Sequence, residues 1–105
     1  STYMNDSQEV VQAVHEVSAG SAALLDVRGE DEWNDVRAEG ALHWPLQRLR
    51  SDDIPDIPLE QRVYVYCAGG VRAEEAKDIL IAHGFSDVIN IGGLADWQKA
   101  GGEIE

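Results

Sequence analysis

The 105-residue sequence predicts a single α/β domain over residues 1–105, with a mainly parallel central sheet flanked by helices on both faces. Short apolar runs suited to buried strands alternate with segments whose apolar residues recur at helical spacing, which is typical of strand–helix–strand units. No internal repeat, linker or low-complexity tract divides the chain, and its length allows one domain to bury a substantial core.

The first half of the chain predicts a helix, a strand and two brief helices. The first helix covers residues 6–19, with Asp6 as its N-cap. Residues 22–27 form an apolar run typical of a buried parallel strand. Brief helices are predicted at residues 30–33 and 45–50, and the tryptophan of the former is expected to anchor it in the core.

The second half of the chain predicts two strands, each followed by a helix. A proline-broken acidic segment at residues 51–58 forms a surface loop before them. Residues 63–66 alternate β-branched and aromatic side chains, as a buried strand does, and a helical pattern begins near Arg72. A last core strand is expected at residues 88–91, followed by a helix that carries Trp97.

The only cysteine, Cys67, ends the strand at residues 63–66 and precedes a turn with two adjacent glycines. Such glycines let main-chain N–H groups converge on one point, and the next helix adds partial positive charge. Arg72 adds a full charge, so these surroundings favour the thiolate of Cys67. A lone cysteine is also a common core residue. Because Cys67 ends a strand, where open α/β sheets bind ligands, and small residues follow it, we predict an accessible, nucleophilic sulfur.

The segment 67–72 resembles the active-site loop of the rhodanese family, which has a cysteine, two variable residues, a glycine, one variable residue and an arginine. Further family marks occur in the family order, and the resemblance runs from about Leu24 to Trp97. These marks are Asp26-Val27-Arg28, Glu32-Trp33, the segment 40–46, Gly84-Phe85 and Gly92-Gly93. The resemblance implies a single rhodanese-like domain of the thiosulfate sulfurtransferase type.

This resemblance implies a sulfurtransferase that moves a sulfane sulfur from thiosulfate, a polysulfide or a persulfide to a thiophilic acceptor. Catalytic Cys67 would carry the sulfur as a covalent persulfide, with no cofactor and no metal. The residues expected to bind the persulfide are Ala68, Gly69, Gly70, Val71 and Arg72. Arg72 would either hold an anionic donor or complete the loop through a carboxylate. Supporting roles fall to Asp26 and Arg28, expected as a buried ion pair, and to Trp97, expected as a core residue that lies near the loop in the family.

Two other functions fit a cysteine in this position. A non-catalytic sulfur carrier or a protein-interaction module of the same fold stays open, since an intact Cys67 also serves a carrier. A cysteine phosphatase or arsenate reductase is disfavoured, because four residues separate Cys67 from Arg72, one fewer than in phosphatases of this fold. The smaller loop suits one sulfur atom, and no aspartic acid is identifiable as the proton donor that phosphate ester hydrolysis requires.

The composition is strongly acidic, with 20 Asp and Glu against eight Lys and Arg residues and a net charge of −12. Nucleic acids and anionic membranes are therefore poor partners, whereas small sulfur donors and a thiol or protein acceptor with a basic surface are favoured. A monomer is expected. No apolar stretch approaches membrane-spanning length and no signal segment opens the sequence, so a cytoplasmic location is expected, with a processed periplasmic form left open.

Overall fold

The computed structural model describes residues 7–105, so the predicted cap at Asp6 lies outside the described residues. Helices and strands alternate along this part of the chain. They are α1 (Ser7–Ser18), β1 (Ala23–Asp26), α2 (Glu30–Asp35), β2 (Leu42–His43), α3 (Leu46–Arg50), β3 (Val63–Cys67), α4 (Val71–Ala82), β4 (Val88–Gly93) and α5 (Leu94–Lys99). No helix within residues 7–105 is long and apolar enough to cross a membrane.

The strands of the described residues form one parallel sheet in the spatial order β2-β1-β3-β4. In the register between β1 and β3, Ala23 lies beside Val63 and Asp26 lies beside Tyr66. The carboxyl ends of parallel strands meet at one edge of the sheet, where α/β proteins place their ligand sites. Asp26 and Cys67, the last residues of β1 and β3, therefore lie at the same edge.

Side chains alternate between the two faces of the sheet, and each face packs against helices. On one face, Val65 and Cys67 pack with apolar residues of α3 and α4, including Leu49. On the other face, Tyr66 packs with residues of α1 and α5, including Trp97. The parallel sheet with helices on both faces confirms the predicted fold class.

Two strand assignments differ from the sequence-based expectation. β2 was not predicted, because its two residues are too few to show the alternation by which a strand is recognised. β4 extends two residues beyond the predicted segment 88–91 and includes Gly92 and Gly93. Its register against β3 shifts between Val65 and Cys67, which marks a β-bulge beside the end of β3. This irregularity lies next to the cysteine loop.

The aromatic ring of Trp33 lies outside the core, so the expectation of a core anchor is wrong. α2 contributes no buried residue. The Trp33 ring instead stacks on the His43 ring, with 4.7 Å between the centroids and 9° between the planes. The guanidinium of Arg37 lies 4.7 Å from the centroid of the same Trp33 ring. Stacking and a cation–π contact therefore hold α2 at the edge of the sheet.

Candidate active site

The loop after Cys67 turns a main-chain N–H group toward the sulfur. β3 ends at Cys67, residues 68–70 form the loop and α4 begins at Val71. Gly70 has a φ of +109°, a left-handed conformation that glycine adopts without steric cost. Its N–H donates a 3.0 Å hydrogen bond to Sγ of Cys67. The sulfur therefore lies at the N-terminal end of a helix, where main-chain dipoles stabilise negative charge.

The Cys67 side chain is almost fully enclosed, so the expectation of an accessible sulfur is wrong. The residue is 1% exposed and belongs to the apolar cluster that α3 and α4 cover. The Gly70 N–H donates to the sulfur, and the Cys67 thiol also contributes to the raised pKa of Arg72. Ala68 of the loop and Val71, the first residue of α4, are exposed, the latter at 60%. These two positions present apolar side chains at the outer surface of the site.

Arg72 completes the loop through a carboxylate, one of the two roles expected for it. Its terminal nitrogens donate to the two carboxylate oxygens of Glu32 at 2.7 and 2.9 Å, a bidentate pair between α4 and α2. The hydrogen bond to Glu32, and more weakly the Cys67 thiol, raises the pKa of Arg72. Glu32 was not predicted as a site residue, although it stands among the family marks. The pair leaves no net charge beside the sulfur.

The stability of the domain should depend on pH through Glu32. The hydrogen bond from Arg72, together with one from the Gly29 N–H, lowers the pKa of Glu32 from 4.5 to about 2. A carboxyl with a depressed folded-state pKa contributes stability above its unfolded pKa and loses it as the pH falls. We expect this contribution to be complete above about pH 4.5 and to vanish towards pH 2. Because both partners are more than a third exposed, it should be worth about 1 kcal/mol.

Urea unfolding of the wild type and Glu32→Gln at several pH values measures this contribution. The variant should be about 1 kcal/mol less stable near neutral pH and nearly equal to the wild type near pH 2. Glu30→Gln is the matched control, since Glu30 lies on the same helix and forms no ion pair within residues 7–105. A deficit of Glu32→Gln that stays constant across this pH range would contradict the assignment.

Asp26 and Arg28 form the buried ion pair that the sequence predicts at the end of β1. Nη2 of Arg28 lies 2.7 Å from Oδ2 of Asp26, and the side chains are 6% and 0% exposed. Asp26 also accepts a hydrogen bond from the Tyr66 hydroxyl at 2.6 Å. The pKa of Tyr66 is raised mainly by burial and to a lesser extent by this hydrogen bond. The Arg28 charge adds to the effects that lower the pKa of Glu32. This buried pair is therefore linked electrostatically to the carboxylate that holds the loop.

Asn90 holds the loop from the neighbouring strand, a contact that was not predicted. Its side-chain amide donates to the Gly70 carbonyl and to the Glu74 carboxylate, each at 3.0 Å. Its side-chain oxygen accepts the Gly92 N–H at 2.8 Å. The side chain therefore fixes the glycine whose N–H meets the sulfur. The available signal was an asparagine inside the apolar run 88–91, because a buried amide requires partners.

Gly93 packs against the loop so closely that a larger residue would displace one of them. A Cβ atom at Gly93 would lie 2.1 Å from the Ala68 carbonyl oxygen, a main-chain atom that cannot rotate away. The φ of Gly93 is −120°, so the requirement for glycine comes from close approach and not from backbone conformation. The end of β4 therefore packs directly against the main chain of the cysteine loop.

Trp97 is buried, but the structure does not bring its side chain to Cys67. The Trp97 ring is 2% exposed and packs on the face of the sheet opposite the cysteine cluster. Its Nε1–H donates to the Glu103 carbonyl at 2.8 Å. Trp97 therefore anchors α5, the helix that follows Gly93, and has no direct contact with the loop among the described interactions.

The arrangement around Cys67 can stabilise a negative charge on its sulfur or on an atom bonded to it. The group directed at the sulfur is the Gly70 N–H, while the Arg72 guanidinium is held by Glu32. Within residues 7–105, no three His, Cys, Asp or Glu side chains are grouped so that they could hold a metal ion. A donor placed like the Gly70 N–H stabilises negative charge on sulfur, the form in which a thiol is nucleophilic.

The sequence profile of the rhodanese-like domain matches residues 8–100 of this chain. The match covers the four strands of the sheet, the whole cysteine loop and every helical residue from the second residue of α1 onward. The protein therefore belongs to the rhodanese-like domain family, which confirms the resemblance seen in its motifs.

Similar proteins include sulfurtransferases. The probable adenylyltransferase/sulfurtransferase MoeZ of Mycobacterium tuberculosis is 34% identical over 84 residues, which are 78% of this chain and 21% of that protein. The chain spans about a fifth to a quarter of the curated relatives that it matches. The Rhodanese_3-like domain of Alr3790 from Anabaena has a TM-score of 0.72 and 33% identity, covering 80% of this chain and 98% of that one. A rhodanese with anions from E. coli has a TM-score of 0.62 and 32% identity, covering 71% and 89%.

Proposed function

We propose that the protein is a rhodanese-type sulfurtransferase that moves a sulfane sulfur from a donor to a thiophilic acceptor through a Cys67 persulfide. The observation that carries this proposal is the 3.0 Å hydrogen bond from the Gly70 N–H to the Cys67 sulfur at the start of α4. This geometry stabilises an anionic sulfur, the nucleophilic form of a thiol. Candidate donors are thiosulfate, polysulfides and persulfides, and candidate acceptors are thiols, protein cysteines and, in the test tube, cyanide.

The reaction is a double displacement in which Cys67 first accepts and then donates one sulfur atom. The thiolate attacks the outer sulfur of the donor, an S–S bond to Cys67 forms, and the leaving group departs with the electrons of the broken bond. The outer sulfur of the new persulfide carries the negative charge next to the main-chain donors of the loop. An acceptor nucleophile then takes that sulfur and restores the Cys67 thiolate.

The size of the loop favours sulfur transfer over phosphate chemistry. Four residues separate Cys67 from Arg72, and the close approach of Gly93 to Ala68 keeps this short loop against the end of β4. Arg72 is also occupied by the Glu32 carboxylate, whereas a phosphatase loop needs its arginine for the phosphate. Both features suit a single sulfur atom better than a tetrahedral phosphoryl group.

A non-catalytic sulfur carrier or protein-interaction module is the second candidate, and one observation favours it. Cys67 is 1% exposed, so very little of its side chain is open to a small donor in this conformation. A carrier would receive sulfur only from a docked protein that opens the loop. The net charge of −12 favours a basic partner, whose binding should weaken as salt is raised.

A steady-state assay with an organic persulfide or thiosulfate as donor and cyanide as acceptor distinguishes the two functions. Thiocyanate formation that depends on Cys67 supports the sulfurtransferase. No turnover with any sulfane donor, together with partner binding that survives Cys67→Ser, would support the carrier or module instead.

Gly93→Ala should displace the loop and slow sulfur transfer. The added methyl group overlaps the Ala68 carbonyl, so the loop or β4 must move by about 1 Å, a displacement that can cost about a hundredfold in rate. The same overlap should lower the free energy of unfolding by about 1–3 kcal/mol. Transfer kinetics and urea unfolding measure the two effects.

Gly29→Ala is the matched control for the Gly93 variant. A Cβ atom at Gly29 would meet only Glu32 Oε1, at an ordinary contact distance of 3.7 Å, so both rate and stability should change little. If Gly93→Ala transferred sulfur as fast as Gly29→Ala, the close packing of β4 against the loop would have no part in positioning it.

A further inference from the structure

Every arginine of the chain is paired with a carboxylate, including the two nearest to the loop. Arg72 is held by Glu32, and Arg28 is held by Asp26. The other arginine pairs are Arg37–Glu105, Arg48–Asp53, Arg50–Glu75, Arg62–Glu16 and Arg62–Asp87. Residues 1–6 contain no lysine or arginine, so all basic side chains lie among the described residues. No arginine is left to bind an anionic donor.

Neither lysine is a loop residue, and α2, which is tied to the loop through Glu32, is acidic. Lys77 follows Val71 by six residues, about 9 Å along the axis of α4, and Lys99 is the last residue of α5. α2, which supplies the partner of Arg72, carries no basic residue. Its exposed acidic residues are Glu30, Asp31 and Asp35. An anion that approaches the domain therefore meets a net charge of −12.

We propose that the sulfur donor is an organic persulfide whose carbon body carries no negative charge, rather than thiosulfate. This inference rests on the proposed sulfurtransferase function and specifies its donor class. Thiosulfate and its leaving group sulfite are both dianions, and their binding requires cations that Glu32 and Asp26 already neutralise in this chain. A persulfide with an uncharged body brings at most the charge of its terminal sulfur, which the Gly70 N–H can stabilise, and the exposed side chains of Ala68 and Val71 offer apolar contact to that body.

The transfer from such a donor balances without any further reactant. The Cys67 thiolate attacks the terminal sulfur of R–S–SH, and a bond forms between the two sulfur atoms. The original S–S bond breaks, and R–S⁻ leaves with its electron pair and takes a proton from water. The transferred sulfur keeps its hydrogen in the product Cys67–S–SH until it ionises beside the loop amides. The source of R–S–SH is either a small thiol or a protein cysteine.

Two donors of nearly equal length test the role of charge directly. The persulfides of 2-mercaptoethanol and 3-mercaptopropionate differ in that the first carries a neutral hydroxyl and the second a carboxylate. The rate at which each adds one sulfur to Cys67 is measured by mass spectrometry, with thiosulfate as the third donor. Each rate is divided by that of the same donor with free N-acetylcysteine amide, which removes differences in intrinsic reactivity. The neutral persulfide should be at least about tenfold faster than either anion.

Adding a cation to the loop should shift this preference. Ala68→Arg places a positive charge on the exposed side of the loop, and the thiosulfate-to-neutral-persulfide rate ratio should rise by about tenfold. Val71→Arg is a second variant at a residue that is 60% exposed, in case the first does not fold. Ala82→Arg adds the same charge at the far end of α4, about 16 Å away along its axis and beyond the screening length of about 8 Å, and should leave the ratio unchanged.

The outcomes separate this inference from the function on which it rests. Equal normalised rates for the matched persulfides and thiosulfate would overturn the donor preference and leave the sulfurtransferase function standing. A ratio that responds equally to Ala68→Arg and Ala82→Arg would overturn it as well, since the effect would then come from net charge alone. If no donor adds sulfur to Cys67, both proposals fall. A faster reaction from a persulfidated basic protein than from the small neutral persulfide would identify a protein as the source.

Discussion

Cys67→Ser should abolish sulfur transfer and leave the fold intact. A serine hydroxyl is not ionised at neutral pH and forms no persulfide, so turnover should fall by at least about a thousandfold. The Gly70 N–H can donate to the serine oxygen as it does to the sulfur, so the free energy of unfolding should change by only about 1 kcal/mol. Thiocyanate formation from the 2-mercaptoethanol persulfide and cyanide measures the activity, and urea unfolding measures the stability.

Activity and stability of Cys67→Ser must be measured together, because a loss of activity is informative only in a folded variant. A folded variant without activity places the chemistry on the sulfur of Cys67. A folded variant that retained transfer within about tenfold of the wild type would show that sulfur passes from donor to acceptor without this residue. The covalent mechanism would then be wrong, even if the fold and family assignment stood.

Asp26→Asn should strongly destabilise the domain. It leaves the Arg28 guanidinium, 6% exposed, without its counter-charge, and it weakens the acceptor of the Tyr66 hydroxyl. Removing one partner of a buried ion pair typically costs about 3–5 kcal/mol. Because a domain of this size is stable by about 5–15 kcal/mol, the loss is a large fraction of the total. Urea unfolding near neutral pH measures it.

Two comparisons show whether the cost comes from the buried charge. Asp53→Asn removes the partner of Arg48 from a pair that is 44% and 50% exposed, and it should cost less than about 1 kcal/mol. Replacing both buried partners, with Asp26→Leu and Arg28→Met together, should cost less than Asp26→Asn alone. If Asp26→Asn were no more destabilising than Asp53→Asn, the ion pair would not support the strand end that adjoins the loop.

The central strand, loop and helix could be predicted because their signals are local. The alternation of residues 63–66 indicates a buried strand, and the two glycines after Cys67 indicate a tight turn. The helix α4 could be predicted from the spacing of its apolar residues. Convergence of the loop N–H groups on the sulfur was expected from the same few residues, and the hydrogen bond that the structure gives is that of the Gly70 N–H.

Contacts between distant segments could not be predicted, because they depend on how the elements pack. Glu32 lies 40 residues before Arg72, and Asn90 lies 20 residues after Gly70. The near-complete burial of Cys67 likewise results from the loop folding back and from the bulge of β4 that brings Gly93 against it. Small neighbours in the sequence suggested an open sulfur, but they instead allow the surrounding main chain to come close.

Mass spectrometry of the intact chain and of its Cys67 peptide shows whether Cys67 carries and releases one sulfur atom. The protein is treated with the 2-mercaptoethanol persulfide, freed of donor, and then treated with cyanide. The Cys67 peptide should gain the mass of one sulfur atom and then lose it completely, with formation of an equal amount of thiocyanate. A Cys67 that stays unmodified with every donor, or an added sulfur that cyanide does not remove, would contradict the covalent mechanism.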